Sequence, residues 1–113
     1  MWRFEPQGRR LKPHLRGDIR AQIGVQDFVG TAAVNLVYVA DVDRMKSASQ
    51  EAKRLWTFTD TGFIGQNVYR FCASEGLASV SRGSPDRESL ALTRQLDRHE
   101  FINCAQSVGY PKE

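Results

Sequence analysis

The chain contains few of the residues that build disulfide scaffolds, metal centres or hydrolytic sites. Its 113 residues include two cysteines, Cys72 and Cys104, without a Cys-x-x-Cys pair, and two histidines, His14 and His99. Disulfide frameworks and zinc sites need several suitably spaced thiols or imidazoles, so we expect two reduced core thiols and no metal site. Neither histidine belongs to a nucleophile-elbow or metal-ligand pattern, so we assign no catalytic side chain.

Long apolar runs are also lacking. No stretch approaches the roughly 18 apolar residues of a membrane-spanning helix, and the first residues lack the apolar core of a secretory signal. We therefore expect a cytoplasmic protein with no membrane partner. The hydrophobic fraction of 41% and the charged fraction of 26% are ordinary for a globular protein. Residues 1–113 are enough for a single domain with a modest core.

The formal net charge is +3, and the excess of cations is concentrated near the start of the chain. These early cations are Arg3, Arg9, Arg10, Lys12, Arg16 and Arg20. A nucleic-acid surface and a solvated basic segment are both compatible with this pattern. We favour the solvated segment and no nucleic acid, because no aromatic-and-basic motif of a known module accompanies the charges.

The first forty residues predict short elements followed by a buried strand. Residues 2–5 and 10–12 flank a Pro-Gln-Gly turn and predict a hairpin. Asp18 is the expected N-cap of a short helix that places Ile19 and Ile23 on one face. A further helical turn is expected over residues 26–30. Both alternating sets of residues 34–40 are largely apolar, which predicts a central strand covered on two faces.

Residues 47–75 predict one long helix in which small and apolar residues occupy most of the circumference. Such a helix belongs in a core or an interface. Its middle, residues 57–62, is poor in helix formers, so a break there is an alternative. Before it, Asp41 and Asp43 form either a metal-binding pair or, as we favour, a turn at the strand end. Gly76 is the expected stop, because glycine adopts the left-handed conformation without steric cost.

After the stop, residues 78–81 predict a strand and Arg82-Gly83 a loop. Residues 84–86 have the pattern of a helix start, with Ser84 as N-cap and Pro85 in the first turn, and the helix should run to about Leu96. Residues 101–108 predict the last strand, with Ile102, Cys104 and Val108 on one face. The expected fold class is α+β, a small sheet packed against the long helix.

The stretches at residues 62–69, 72–78, 82–87 and 105–111 resemble the flavin-dependent nitroreductase family, especially members related to peptide-thiazoline dehydrogenases. The resemblance extends back over residues 15–20, 26–29 and 34–41 and keeps its order along the chain. It implies a nitroreductase-like fold of which this chain is the C-terminal part. The family's N-terminal segment carries an Arg/Ser motif for the flavin phosphate, and nothing in this chain matches that motif.

The resemblance also implies a function. Such enzymes bind FMN and use NAD(P)H to reduce nitro or quinone-type acceptors, and the flavin supplies the hydride chemistry. The segment around Ser81, Arg82 and Gly83 would lie beside the flavin ring, with main-chain amides directed toward N5. Spacing alone favours Gly83 as a turn into the next helix, whereas the resemblance favours close approach of its backbone to a flat ligand.

Partners and an alternative function follow from the same comparison. Family members are intertwined homodimers with FMN at the subunit interface, so we expect a homodimer or a complementing N-terminal half, with the helix over residues 51–75 as a dimer element. The alternative is a cofactor-free remnant that serves as a dimerisation or interaction module. A half-domain with an apolar helix should expose an apolar patch and associate.

Overall fold

The computed structural model describes residues 1–46, 48–83, 86, 88, 90 and 95–112. The elements in chain order are β1 (Trp2–Glu5), β2 (Arg10–Pro13), α1 (Arg20–Ile23), α2 (Asp27–Thr31), β3 (Val34–Asp41), a 3-10 turn (Val42–Arg44), α3 (Gln50–Ser74), β4 (Ala78–Arg82) and β5 (Glu100–Gly109). The expected α+β architecture, a small antiparallel sheet with one long helix, is confirmed. Most of the helix expected over residues 84–96, including Ser84, Pro85 and Leu92, lies outside the described residues.

The described strands form a two-stranded and a three-stranded sheet. β1 and β2 pair as the expected hairpin, and the larger sheet has the order β3-β5-β4 with antiparallel neighbours. The expectation that residues 34–40 form the central strand is therefore wrong, because β5 is central and β3 lies at an edge. The apolar alternation of β3 reflects partial burial, whereas half of the ten residues of β5 are buried and the other half partly buried, although many of them are polar.

A bulge in β5 changes which side chains share a face. Tyr38 pairs with Cys104 and the next residue, Val39, pairs with Ile102, so Asn103 is the extra residue. The bulge reverses the alternation, and Ile102 joins Ala105 on the face opposite Cys104. The prediction that Ile102 and Cys104 share a face is therefore wrong, because it assumed an uninterrupted period of two.

One face of the sheet, which we call the α1/α2 face, carries the apolar core. Ile102 and Ala105 of β5 pack there with Ile23 of α1, Val29 of α2 and Leu90. Partly buried side chains complete the cluster: Ile19, Val37, Val39 and Leu96. Ile19 and Ile23 thus share the predicted inward face. The predicted N-cap is wrong by one residue, because α1 begins at Arg20 with Ile19 as N-cap, and Asp18 accepts from the Arg20 amide at 3.0 Å.

The opposite face, which we call the α3 face, is covered by the long helix. Of the helix residues, Thr57, Gly65 and Cys72 are buried, so the contact surface of α3 is small and weakly polar. Asn103 donates to the Thr57 carbonyl at 2.9 Å and to the Thr61 hydroxyl at 2.7 Å. This layer is held by hydrogen bonds and close backbone approach more than by interlocked apolar side chains.

Helix α3 is continuous over 25 residues, so the break considered at residues 57–62 does not occur. Ser49 caps its start by accepting from the Ala52 amide at 3.2 Å, and Gly76 ends it with φ +67°. The Leu77 amide returns to the Cys72 carbonyl at 2.8 Å. The large apolar side chains of the helix are exposed: Leu55, Trp56, Phe58, Phe63, Ile64 and Phe71.

Candidate functional site

The candidate site is the outer edge of β4. One edge of this strand pairs with β5, from Ala78 opposite Gly109 to Arg82 opposite Ala105, while the sheet order leaves its other edge without a described strand. In an antiparallel edge strand, successive residues direct their amides alternately toward the neighbour and outward. The outward amides form a row of donors, which is the feature that a flat ligand with acceptor atoms requires.

Ser81 lies on this edge, and its amide already has a partner. The Ser81 N–H donates to the Tyr69 hydroxyl oxygen at 2.5 Å. The Ser81 side chain faces α3, since its hydroxyl lies 3.7 Å from where a Cβ on Gly65 would stand. Tyr69 is therefore the helix residue that reaches around the sheet to the β4 edge.

Arg82, the next residue, turns its side chain to the α1/α2 face and is only 5% exposed. Its Nη1 donates to the Ile23 carbonyl at 2.8 Å and its Nη2 donates to Asn35 Oδ1 at 3.3 Å. Burial lowers the pKa of the guanidinium from its usual value. Its Nε has no partner among the described residues. Arg82 therefore acts as an internal tie between β4, α1 and β3, and its side chain does not reach the outer edge.

The space for the Arg82 guanidinium depends on Gly24. A Cβ built on Gly24 would overlap Arg82 Nη1. Asn35 completes the arrangement: its Nδ2 donates to the Val29 carbonyl at 3.0 Å, and its Oδ1 accepts from the Ser107 hydroxyl at 2.6 Å. This network fixes the backbone of β4 from beneath at the residue before the loop.

Gly83 follows β4 at the surface. It is exposed, and a Cβ built on it would meet no atom within 4 Å. The backbone here is therefore open to close approach by a flat molecule. Of the three residues singled out from the sequence, Ser81 directs its amide to the outer edge, Arg82 directs its amide toward β5, and Gly83 follows the strand at the surface. The side chains of Ser81 and Arg82 point to opposite faces.

A second network supports β4 from the α3 face. Gln106 is fully buried; its Nε2 donates to Ser79 Oγ at 2.9 Å and to the Gly65 carbonyl at 3.3 Å. Its Oε1 accepts from the Tyr38 hydroxyl at 2.6 Å. Burial, with a smaller contribution from nearby Cys104, raises the pKa of Tyr38 to about 12. Gln106 thus connects β4, β5, β3 and the helix in one place.

Tyr69, Gln106 and Asn35 were not predicted as parts of the site. Tyr69 lies 12 residues from Ser81 in sequence, so local patterns say nothing about their contact. One available signal is the spacing of Gly65 and Tyr69, which places the tyrosine one helical turn after a glycine of the contact face. Gln106 and Asn35 lie within strand patterns, where polar residues are ordinarily placed on the solvent side.

Other kinds of site receive no support in the described part of the chain. No cluster of three or more His, Cys, Asp or Glu side chains there could hold a metal ion. Asp41 instead accepts from the Asp43 amide at 3.2 Å, as expected for a turn. Both cysteines are thiols, with Cys72 buried in the helix contact. Among the helices described, none combines the length and apolar character that a membrane crossing requires.

Several of the early cations have carboxylate partners. Arg3 pairs with Glu100 at 2.5 Å, and Arg20 pairs with Asp18 at 2.6 Å. Both Arg10 and Lys12 pair with Glu5, and these contacts lower the pKa of that carboxyl. The paired cations are spread over the hairpin and α1, and this arrangement fits the solvated interpretation better than a row of phosphate contacts.

Comparison with known proteins gives a consistent result. A family model described as the nitroreductase family matches residues 4–110. A solved structure from Ralstonia eutropha JMP134, assigned as a nitroreductase, matches with a TM-score of 0.88 and 32% identity over 99% of this chain. One from Clostridium acetobutylicum, assigned as an NADH oxidase, matches with a TM-score of 0.63 and 25% identity over 75% of this chain. No curated protein matches. The match covers 53% of the Ralstonia chain and 50% of the Clostridium chain, so this chain spans about half the length of each of them.

Proposed function

Because the chain belongs to the nitroreductase family, we propose that it is a nitroreductase-like, FMN-dependent oxidoreductase domain. In this proposal, residues 1–113 form one domain that corresponds to the C-terminal part of the family fold, close to the relatives of peptide-thiazoline dehydrogenases. The protein would act in the cytoplasm. Bound FMN would take a hydride from NAD(P)H and reduce a nitro or quinone-type acceptor.

The outer edge of β4 is the observation that carries this proposal. It presents a main-chain edge on a strand that is held from one face by Arg82 and from the other by Gln106, and the Ser81 amide on this edge is bonded to the Tyr69 hydroxyl. The open surface at Gly83 admits a flat ring without a side chain in the way. The cofactor-binding residues in this proposal are Ser81, Arg82 and Gly83, which contribute backbone rather than side chains. These features fit the ring of a flavin.

A flavin titration tests this. We expect the purified 113-residue chain to bind riboflavin and FMN with affinities within about tenfold of each other, because in this proposal the chain contacts the flavin ring, and no segment of it matches the family's phosphate-binding motif. Quenching of flavin fluorescence measures both affinities. A chain that binds neither flavin contradicts the proposal.

A matched pair of glycine substitutions locates the binding surface. Gly83→Val places a branched side chain where the ring would approach, and we expect flavin affinity to fall at least tenfold. Gly30→Val is the control, since a Cβ there also meets open space but lies on α2, away from β4. Thermal unfolding of both variants establishes that they are folded. Equal flavin affinity of the two variants would place any bound flavin elsewhere.

The exposed helix surface favours a second, compatible role as an association module. We propose that the outward side of α3, which includes Phe63 at 68% exposure and Phe71 at 60%, is covered by a second copy or by a complementing N-terminal half. If flavin does not bind, this role remains as the cofactor-free alternative. No nucleic acid or membrane partner is included in the proposal.

Sedimentation of two variants tests association. Phe63→Asp introduces a charge in the apolar surface, and Gln66→Asp introduces the same charge at an exposed polar position one turn later. We expect wild type and Gln66→Asp to self-associate and Phe63→Asp to shift toward the monomer. A wild-type chain that is monomeric at every concentration, with no change on adding an N-terminal half from a relative, contradicts this role.

A further inference from the structure

The hydrogen bond between Ser81 and Tyr69 has a definite direction. A backbone N–H can only donate, so the Tyr69 oxygen is the acceptor in the 2.5 Å contact. The phenolic proton is then directed to some other acceptor. Within the described residues, the structure shows no hydrogen bond donated by the Tyr69 hydroxyl, and Tyr69 is only partly buried.

The other tyrosine of this region behaves differently. The Tyr38 hydroxyl donates to Gln106 Oε1 at 2.6 Å, and this bond uses its proton inside the fold. Tyr38 thus has a structural role, whereas the Tyr69 hydroxyl lies at the outer edge of β4 and donates no hydrogen bond within the described residues. The side chains of Ser81 and Arg82 cannot take this part, because they face the helix and the α1/α2 face.

We propose that the Tyr69 hydroxyl is the side-chain hydrogen-bond donor of the β4 edge, which binds an acceptor atom of the flat heteroaromatic ligand lying there. This rests on the proposed function and adds to it a residue from outside the strand. The amide of Ser81 polarises the phenol by donating to its oxygen, and a polarised hydroxyl is the stronger donor. The Tyr69 hydroxyl thereby replaces the Ser81 amide as the group that can donate to a ligand at this edge.

Removing the hydroxyl tests the proposal while keeping the ring. We expect Tyr69→Phe to weaken riboflavin and FMN binding about tenfold, the effect of one net hydrogen bond. The absorption band of the bound flavin should also shift relative to wild type, because a donor to the ring has been lost. Tyr110→Phe is the control, since Tyr110 is 82% exposed near the end of the chain and its variant should bind as wild type does.

Amide exchange provides a readout that needs no flavin. In Tyr69→Phe the Ser81 amide loses its acceptor, so its hydrogen exchange should accelerate about tenfold, while exchange along β5 stays unchanged. Unchanged exchange at Ser81 would overturn the inferred contact and the donor role with it.

The outcomes separate this proposal from the proposed function. Flavin binding that is equal in wild type and Tyr69→Phe overturns the donor role and leaves the β4 site standing. Absence of flavin binding by the wild-type chain overturns the proposed function, and the donor role falls with it. Weaker binding and a shifted band in Tyr69→Phe alone, with Tyr110→Phe unaffected, support both.

Discussion

The two faces of the three-stranded sheet are covered in different ways. On the α1/α2 face, apolar side chains from the sheet and from short helices interlock around Leu90, which is fully buried. On the α3 face, polar side chains such as Gln106 and Asn103 contact helix backbone and hydroxyl groups, and large apolar residues of the helix such as Phe63 and Phe71 are exposed. The α1/α2 face is thus covered by a packed apolar core, whereas the α3 face is covered by a helix whose other side exposes apolar residues.

This difference shows how one helix can pack closely on a sheet with one side and keep its apolar side chains for a contact on the other. Small residues toward the sheet let the α3 backbone approach β5 closely, and polar side chains satisfy the groups that this approach buries. The hydrophobic effect, which scales with apolar area removed from water, is then largely unused on the outside of the helix. The following predictions test this contrast, beginning with the largest effect.

Truncation of a side chain in the apolar core of the α1/α2 face should have the largest effect on stability. Ile102→Ala removes a buried side chain from the α1/α2 face, and we expect it to lower the free energy of unfolding by about 2–5 kcal/mol. Phe63→Ala removes a larger side chain from the exposed side of α3, and we expect a change within about 0.5 kcal/mol in the monomer. Urea unfolding at low protein concentration measures both. Similar losses would show that the outer helix surface is already packed.

Substitution in the polar contacts of the α3 face should have the second-largest effect on stability. Gln106→Leu leaves the Tyr38 hydroxyl without its acceptor and removes the bonds from Gln106 to Ser79 and to the Gly65 carbonyl, and we expect a loss of about 1–3 kcal/mol. Gln66→Leu makes the same chemical change at an exposed position of α3 and should be nearly neutral. Urea unfolding of the two variants gives the comparison. A neutral Gln106→Leu would mean that the α3 face tolerates apolar packing and does not need its polar network.

The pH dependence of stability should report on the same layer. The folded-state pKa of Tyr38, about 12, lies above its ordinary value of 10.0 because burial favours the neutral phenol. Its contribution is therefore complete below about pH 10 and is lost as the pH rises toward about 12. We expect Tyr38→Phe to lose less stability than wild type over this interval, with Tyr110→Phe falling as wild type does. If wild type and Tyr38→Phe lose the same stability between about pH 10 and about pH 12, the raised pKa of Tyr38 is contradicted.

The smallest effect concerns two glycines of α3. Gly62→Ala adds a methyl group in open space, and we expect a gain of about 0.5–1 kcal/mol from helix propensity. Gly65→Ala should gain less, because its Cβ would stand 3.4 Å from Gln106 Oε1. Thermal unfolding of the two variants makes the comparison. An equal gain at both positions would show that the helix and sheet are not in close contact at Gly65.

Patterns along the chain predicted the elements better than their arrangement. The long helix, its glycine stop at Gly76 and the strand after it follow from spacing and local backbone preference, and all three are observed. The apolar residues of β3 predict that this strand is the centre of the sheet. The actual central strand, β5, buries Gln106 and Asn103, and only the hydrogen-bond partners of these residues, which are distant in sequence, make that burial acceptable.

The candidate site was predicted as a segment and not as a set of contacts. Ser81, Arg82 and Gly83 are adjacent, so the sequence pattern and the resemblance were enough to single them out; their role stays a prediction. The inward direction of Arg82 depends on the missing side chain of Gly24, and the partner of Ser81 comes from a helix. Such contacts are set by tertiary packing, which one-dimensional periodicity does not encode.

The extra residue in β5 works as a phase shift between two halves of one strand. On one side of Asn103 the odd-numbered positions face the apolar core, and on the other side the even-numbered Ile102 does. Deleting Asn103 would make the pairing regular and leave Ile102 on the core face, whereas deleting one residue elsewhere in the strand would invert the side chains beyond it. The bulge is therefore the position at which this strand can lose a single residue without a change of face, although the bonds from Asn103 to Thr57 and Thr61 are lost with it.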